Sequence, residues 1–362
     1  MRVMTILGTR PEIIRLSAVV GRLDALVDHV LVHTGQNFDP ALSDVFFDEL
    51  GVRRPDHRLE ARGGALGARL GRILEETGAL LESERPDRLL VLGDTDSGLS
   101  ALVARRLGIP VFHMEAGNRC FDDRVPEEVN RRVIDHASDV WLPYTERSRA
   151  HLLREGCPPH RIFVTGNPIF EVLDRHRAAI DRSDVLDRLG LVPGEYFLLT
   201  AHRQENVDVA DRLASLVAAV QAVARRWELP VVCSVHPRLA SRLEAAGVTL
   251  ADARVRVHEP FGFFDFTRLE RHARCVLTDS GTVQEECCLF GVPTVTLRDT
   301  TERPETLECG SNVLAGVAAD DVLRAVTAAL ARGSGWQPPA EYLTPHVSAT
   351  VASLVVGFDG GL

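Results

Sequence analysis

Ile109-Pro110-Val111-Phe112-His113-Met114-Glu115-Ala116-Gly117-Asn118-Arg119 is a short apolar run that turns at once into charge. A compact apolar run bounded in this way reads as a buried strand, and its charged continuation marks the strand's end. The next residues, Cys120-Phe121-Asp122-Asp123-Arg124-Val125-Pro126-Glu127-Glu128-Val129-Asn130-Arg131, collect acids and arginines at that end. In open α/β sheets ligands bind outside the carboxyl ends of the strands. Taken alone, the same stretch also fits a solvated loop.

Working outward, apolar runs followed by helical patterns recur at Val3 to Leu7, His29 to His33, Arg88 to Leu92, Val111 to Met114 and Val140 to Pro143. This alternation predicts a parallel sheet with helices on both faces. The rhythm restarts after the turn-rich Thr165-Gly166-Asn167-Pro168, with strands expected at Tyr196 to Thr200, Val231 to Val235, Val255 to His258, Cys275 to Thr278 and Thr294 to Leu297. The predicted fold is α/β, two doubly wound Rossmann-like domains facing a central cleft. Residues 1–167 form the first domain and 168–345 the second, and 346–362 supply a last helix that packs back on the first.

A chain of 362 residues that is 45% hydrophobic can fill two such cores. Mixed charge with a net of -10 argues against a nucleic-acid groove, while leaving room for a local anion pocket. The seven cysteines are odd in number and lack paired zinc spacing, which suits a reducing cytoplasm. The N-terminus enters a strand directly and no apolar run reaches membrane-spanning length, so neither export nor membrane insertion is expected.

In the first half, Gly8-Thr9-Arg10-Pro11-Glu12 has the spacing of a capping box and holds Arg10 at a helix N-terminus. Such a terminus attracts anions and an arginine fork adds phosphate recognition; the alternative is a plain capped helix with an exposed arginine. Gly93-Asp94-Thr95 places Asp94 at the same sheet edge as Glu115. Two carboxyls there can raise one another's pKa for acid or base work, although Asp94 also reads as an N-cap. Glu127 follows Pro126 at a helix start, where helix-dipole complementarity would also explain an acid.

In the second half, Ala201-His202-Arg203 follows a strand, and His202 either titrates near neutrality or is structural. Leu277-Thr278-Asp279-Ser280-Gly281-Thr282-Val283-Gln284-Glu285-Glu286 reads as a strand, a small-residue turn and a helix start, with Thr282 and Glu285 as a second capping box. That is a good phosphate seat, and Arg303 adds countercharge from the segment after the next strand. Glu286 can reach sugar hydroxyls or can be a surface glutamate. Neither a Gly-x-Gly-x-x-Gly fingerprint nor a Gly-Lys-Ser/Thr phosphate loop occurs.

These segments, together with Pro126-Glu127-Glu128, Asn130-Arg131 and Arg298 to Glu305, resemble in order the non-hydrolysing UDP-N-acetylglucosamine 2-epimerase family. The resemblance spans residues 8 to 305. It implies the glycosyltransferase-B fold, a homodimer, UDP held mainly by the second domain, and no requirement for NAD or a metal. It also implies anti elimination of UDP across C1 and C2 to 2-acetamidoglucal, then syn re-addition. By motif position Asp94, Glu115 and Glu127 match the family's acid/base carboxylates and His202 the histidine by the diphosphate. Arg10, Ser280, Gly281, Glu286 and Arg303 match UDP-binding positions, and Arg15 stands where many members have lysine. Arg203, His236, Phe266 and Thr282 join them as candidate substrate contacts.

The chain departs from the family pattern at several places. Asn118 stands where many members have leucine, and Thr282 replaces a second glycine. Asn37-Phe38-Asp39-Pro40 replaces the His-Arg segment of members activated by their own substrate, so the resemblance does not extend to that regulation. Asn118 to Glu128, with Glu259 to Asp265, is similar to a subgroup acting on 6-deoxy UDP-N-acetyl sugars on the way to UDP-N-acetyl-L-fucosamine. A glycosyltransferase of the same fold is the reading from another class; three matched carboxylate motifs argue against it. A hydrolysing epimerase often carries a kinase domain, for which the chain has no length.

Overall fold

The computed structural model describes residues 1–36, 40–61, 63–235, 237–246, 250, 252–359 and 361. The departure at Asn37-Phe38-Asp39 and the candidate His236 lie outside them. The chain forms two units, Met1–Arg175 with Ala340–Leu362, and His176–Pro339.

The first unit holds a parallel sheet of β1 (Arg2–Leu7), β2 (Asp28–His33), β3 (His57–Arg58), β4 (Arg88–Leu92), β5 (Val111–Met114) and β6 (Val140–Leu142). Its strand order is β3-β2-β1-β4-β5-β6. The second holds β7 (Phe197–Thr200), β8 (Val231–Ser234), β9 (Val255–His258), β10 (Cys275–Thr278), β11 (Thr294–Thr296) and β12 (Asn312–Leu314), all parallel. The order β9-β8-β7-β10-β11-β12 repeats the first. Both sheets are therefore doubly wound and Rossmann-like, with the order reversing beside β1 and β4 in one and beside β7 and β10 in the other.

Apolar runs predict these strands because helices cover both faces. Along β7, Phe197 and Leu199 join one buried cluster, while Leu198, with Tyr196 just before the strand, joins another. A period of two with both faces buried reads as a continuous apolar segment. Two strands are absent from the sequence reading: β3 has only two residues, and β12 is an edge strand only half-buried at Val313 and Leu314, so it lacks the apolar run of a strand covered on both faces.

The first unit ends later than residue 167 because the helix Ile169–Arg175 packs on the helix Arg10–Leu26. It resumes before residue 346 because the turn Ala340–Leu343 packs on Ile169–Arg175. The last helix, Val347–Gly357, lies on Arg10–Leu26, and Arg88 at the start of β4 donates to the Val355 carbonyl. Among the described residues no helix is long and apolar enough to cross a membrane.

Candidate functional site

In the first unit the carboxyl ends of β1, β4 and β5 are cross-linked by buried polar side chains. The helix Arg10–Leu26 begins with the capping box expected from Thr9 and Glu12. Glu12 goes further than a cap. Its Oε2 accepts from the Gly8 and Thr9 N–H groups at 3.1 and 2.8 Å and from Thr9 Oγ1 at 2.7 Å, while Oε1 accepts from Thr95 Oγ1 at 3.1 Å. Burial outweighs these donors and pushes its pKa up to about 7. Arg10 opens the helix with its guanidinium 5.7 Å from the centre of the Phe46 ring, and burial lowers its pKa.

Glu115 is the first residue beyond β5 and has a φ of 65°. The left-handed region costs a non-glycine residue about 1 kcal/mol, so it persists only where surroundings enforce it. Here the Glu115 N–H donates to the Leu142 carbonyl at 3.1 Å, and the carboxylate is held as well. Oε2 accepts from Arg15 Nη1, and Oε1 accepts from Asn118 Nδ2 at 3.3 Å. Arg15 lies 5.8 Å from the centre of the Tyr144 ring. Gly93 (φ 75°), the first residue beyond neighbouring β4, lies beside this carboxylate: a Cβ there would sit 3.8 Å from Glu115 Oε2.

Asp94 leaves the end of β4, next to β5, and Arg131 Nη2 donates to its Oδ2 at 2.6 Å. Arg131 also bonds Glu128 at 2.8 Å, and Asn130 Nδ2 donates to the Asp94 carbonyl at 3.0 Å. The helix Pro126–Ala137 is thereby tied to the β4 end, with Glu127 half-buried in its first turn. Both carboxylates that the sequence places at this sheet edge are held by a guanidinium, Asp94 by Arg131 and Glu115 by Arg15.

The remaining acids and Arg119 of this segment hold the loop. Asp135, fully buried, accepts from His113 Nδ1 at 2.8 Å, from the Gly117 N–H at 3.1 Å and from Arg119 at 2.7 Å. Glu128 accepts from the Cys120 and Phe121 N–H groups at 3.0 and 3.1 Å. Burial opposes its ionisation, but the Cys120 N–H and Arg131 prevail and hold its pKa below the usual value.

The second unit uses its acids differently. Asp279, just beyond β10 and fully buried, accepts from the N–H groups of His202 at 3.0 Å and Arg203 at 2.9 Å, and from Asn206 Nδ2 at 3.1 Å. This fixes the loop after β7, with the His202 ring 3.4 Å from Asp279 and partly exposed. Ser280 is the N-cap of the helix Gly281–Phe290. The expected capping box of Thr282 with Glu285 does not form: the helix has begun at Gly281, and Glu285 accepts instead from Arg303 Nε. A Cβ on Gly281 would fall 2.6 Å from Glu302 Oε1 and 3.5 Å from the Arg303 guanidinium carbon. Arg303 thus lies against the start of this helix, and Arg203 is 3.7 Å from Glu302. Thr282 and Glu286 are buried in the same helix. Burial, with Glu286 as a like-charged neighbour, drives the pKa of fully buried Glu270 well above the usual carboxyl value. Phe266 packs against the cluster containing Leu198, Leu269 and Val276.

Chemically, one unit presents carboxylates held by arginines at its sheet edge, and the other a helix N-terminus with arginines, suited to a diphosphate. Among the described residues no group of three or more His, Cys, Asp or Glu is placed to hold a metal ion. Reading the sequence missed Glu12, Asn118, Tyr144, Ser148 and Asp279. A departure from the family pattern flags Asn118, and Asp279 lies in a quoted motif; Ser148 carries no local signal.

The model of one protein family, UDP-N-acetylglucosamine 2-epimerase, matches residues 22–356. The UDP-N-acetylglucosamine 2-epimerase of Methanocaldococcus jannaschii is 38% identical over 347 residues, covering 94% of this chain and 95% of the relative. The UDP-2,3-diacetamido-2,3-dideoxy-D-glucuronate 2-epimerase of Pseudomonas aeruginosa is 37% identical over 336 residues, 92% of this chain and 93% of its own. Among solved structures, the Methanocaldococcus jannaschii UDP-GlcNAc 2-epimerase in complex with UDP-GlcNAc and UDP is similar with a TM-score of 0.93 at 37% identity, covering 99% of this chain and 100% of that one.

Proposed function

Since the chain belongs to the UDP-N-acetylglucosamine 2-epimerase family, we propose that it interconverts UDP-N-acetylglucosamine and UDP-N-acetylmannosamine without hydrolysing them. The observation that carries the proposal is the pair of arginine-held carboxylates, Glu115 with Arg15 and Asp94 with Arg131, on neighbouring strand ends. Epimerisation at C2 needs a base on one face of the sugar and an acid to return the proton on the other. Cleavage of C1–O needs the departing diphosphate stabilised as charge develops.

In this reading Asp94, Glu115 and Glu127 are the acid/base groups for anti elimination to 2-acetamidoglucal and syn re-addition. For the diphosphate the second unit offers His202, Arg203 and Arg303 with the helix start at Ser280, Gly281 and Thr282, and the first unit offers Arg10 and Arg15. Glu286, His236 and Phe266 complete the candidate contacts to the UDP sugar. The second unit binds UDP, the first carries the chemistry, and the enzyme is a cytoplasmic homodimer. A second reading keeps the chemistry and changes the sugar to a 6-deoxy UDP-HexNAc. It rests on the resemblance of the run from Asn118 to Glu128, and a 37% identical relative is itself named for a UDP sugar other than UDP-N-acetylglucosamine.

The test is incubation with UDP-N-acetylglucosamine in D2O, followed by NMR. UDP-N-acetylmannosamine carrying deuterium at C2 is the expected product, with Asp94→Asn, Glu115→Gln and Glu127→Gln each lowering turnover by about 100-fold or more while UDP still binds. Turnover only of a 6-deoxy UDP sugar selects the second reading, and full activity in all three variants refutes the assignment.

A further inference from the structure

We infer that Asn118 is a positioning residue for Glu115, its side-chain amide donating to Oε1 while Arg15 donates to Oε2. The inference rests on the reading of Glu115 as a reacting carboxylate. A chain of hydrogen bonds supports it. Thr145, the N-cap of the helix Glu146–Arg154, accepts from the Ser148 N–H at 3.2 Å, and its hydroxyl lies 3.2 Å from Ser148 Oγ. Ser148 Oγ donates to Asn118 Oδ1 at 2.7 Å, and Asn118 Nδ2 donates to Glu115 Oε1 at 3.3 Å. Ser148, Asn118 and Glu115 are exposed by only 3%, 6% and 5%, so water does not substitute for any of these bonds.

The direction of the amide is set by Ser148. A hydroxyl that donates to Oδ1 turns the NH2 group towards Glu115, whereas an amide in isolation has no preferred face. The carboxylate then has a donor on each oxygen, a guanidinium on Oε2 and an amide on Oε1. One donor would leave the group free to turn about its last bond, and two fix its plane. A base that takes a proton from carbon needs a lone pair held in one direction, which is what a fixed plane supplies. An amide N–H also favours the ionised carboxylate over the acid, so Asn118 helps keep Glu115 ready to accept a proton. Leucine, the residue of many family members at this position, is branched at Cγ as asparagine is, is larger, and has neither hydrogen-bonding group.

The experiment compares the wild-type protein with Asn118→Leu, Asn118→Asp, Ser148→Ala and Glu115→Gln. For each, kcat and KM, C2–H exchange into D2O, the pH profile of kcat/KM, and UDP affinity by calorimetry are measured. A 13C NMR titration of Glu115, assigned by its loss in Glu115→Gln, reads the carboxyl directly. Asn118→Leu is expected to lower kcat and C2 exchange about tenfold, with KM and UDP affinity within about twofold. The Glu115 titration and the acidic limb of the profile should move up by about half a pH unit or more. Ser148→Ala should do the same to a smaller extent, and Asn118→Asp, a like charge, should raise the titration further. A role in packing alone would lower the melting temperature while kcat and the acidic limb stayed put, which overturns the inference. Absence of turnover in the wild-type protein, or full activity in Glu115→Gln, sinks the catalytic reading instead. An unmoved Glu115 titration in Asn118→Leu sinks the positioning role whether or not there is turnover.

Discussion

Beyond β5, Glu115 receives the Arg15 guanidinium, and beyond β4, Asp94 receives that of Arg131. Beyond β10, by contrast, Asp279 receives backbone N–H groups from the β7 loop, and Glu285 in the following helix receives Arg303. The two sheets have one strand order, and both edges bury acids and arginines. In the first unit arginines hold Asp94 and Glu115, the carboxylates proposed to react. In the second, Asp279 holds the loop after β7 and Glu285 holds Arg303. One topology therefore carries two arrangements of buried charge, set by whether the acid at the strand end is met by a guanidinium or by backbone N–H groups.

The largest effect expected from this contrast is in Arg131→Met. Asp94 and Glu128 both lose the Arg131 guanidinium, although Glu128 keeps Arg132 at 3.3 Å, and removing one partner of a buried pair costs about 3–5 kcal/mol. Turnover should fall by about 100-fold, with UDP affinity within about threefold, because Arg131 is not among the proposed UDP contacts. Denaturant melts, kinetics and calorimetry read the three quantities; weakened UDP binding with normal turnover would erase the division of labour. Next in size is Arg303→Lys, which keeps a charge for Glu285 and loses the planar fork. UDP affinity should drop about tenfold while kcat at saturation holds within about threefold. A fall confined to kcat would place Arg303 with the chemistry.

A last effect leaves turnover and UDP binding aside and is read in stability, through the cost of burying acids at the first edge. Glu12 has its folded pKa raised from 4.5 to about 7, so its stabilising contribution is complete below pH 4.5 and is lost as the pH rises through 7. Glu12→Gln carries no such term. The unfolding free energy of the variant relative to wild type should rise across that window, by up to about 3 kcal/mol. A pH-independent difference would show that Glu12 stays ionised throughout.

Most strands were legible because helices cover both faces, which makes each strand a plain apolar run; β3 was too short to register and the edge strand β12 is only half-buried at Val313 and Leu314. The candidate residues were legible as positions because the ends of apolar runs mark the carboxyl edge of a parallel sheet. Their partners were not. Arg15 and Glu115 lie 100 residues apart, and Arg131 and Asp94 lie 37 apart. Thr282 with Glu285 fitted a local rule for capping, yet Arg303, 18 residues on, took Glu285. Local spacing cannot anticipate a buried charge arriving from another element.

What the sequence determined by itself is the alternation of strand and helix, its restart in the second half, and the carboxyl-edge segments where acids and arginines collect. These follow from periodicity, from turn chemistry and from the wish of apolar runs to be buried. Only the tertiary structure decided the pairings. Placing β1 beside β4 and β4 beside β5, none of them an ordinary hairpin neighbour, brought Arg15 to Glu115. The turn of the helix after β6 set Ser148 against Asn118. In a buried edge every charge must find its partner across space, and the sheet order, which is a property of the whole chain, settles which partner that is.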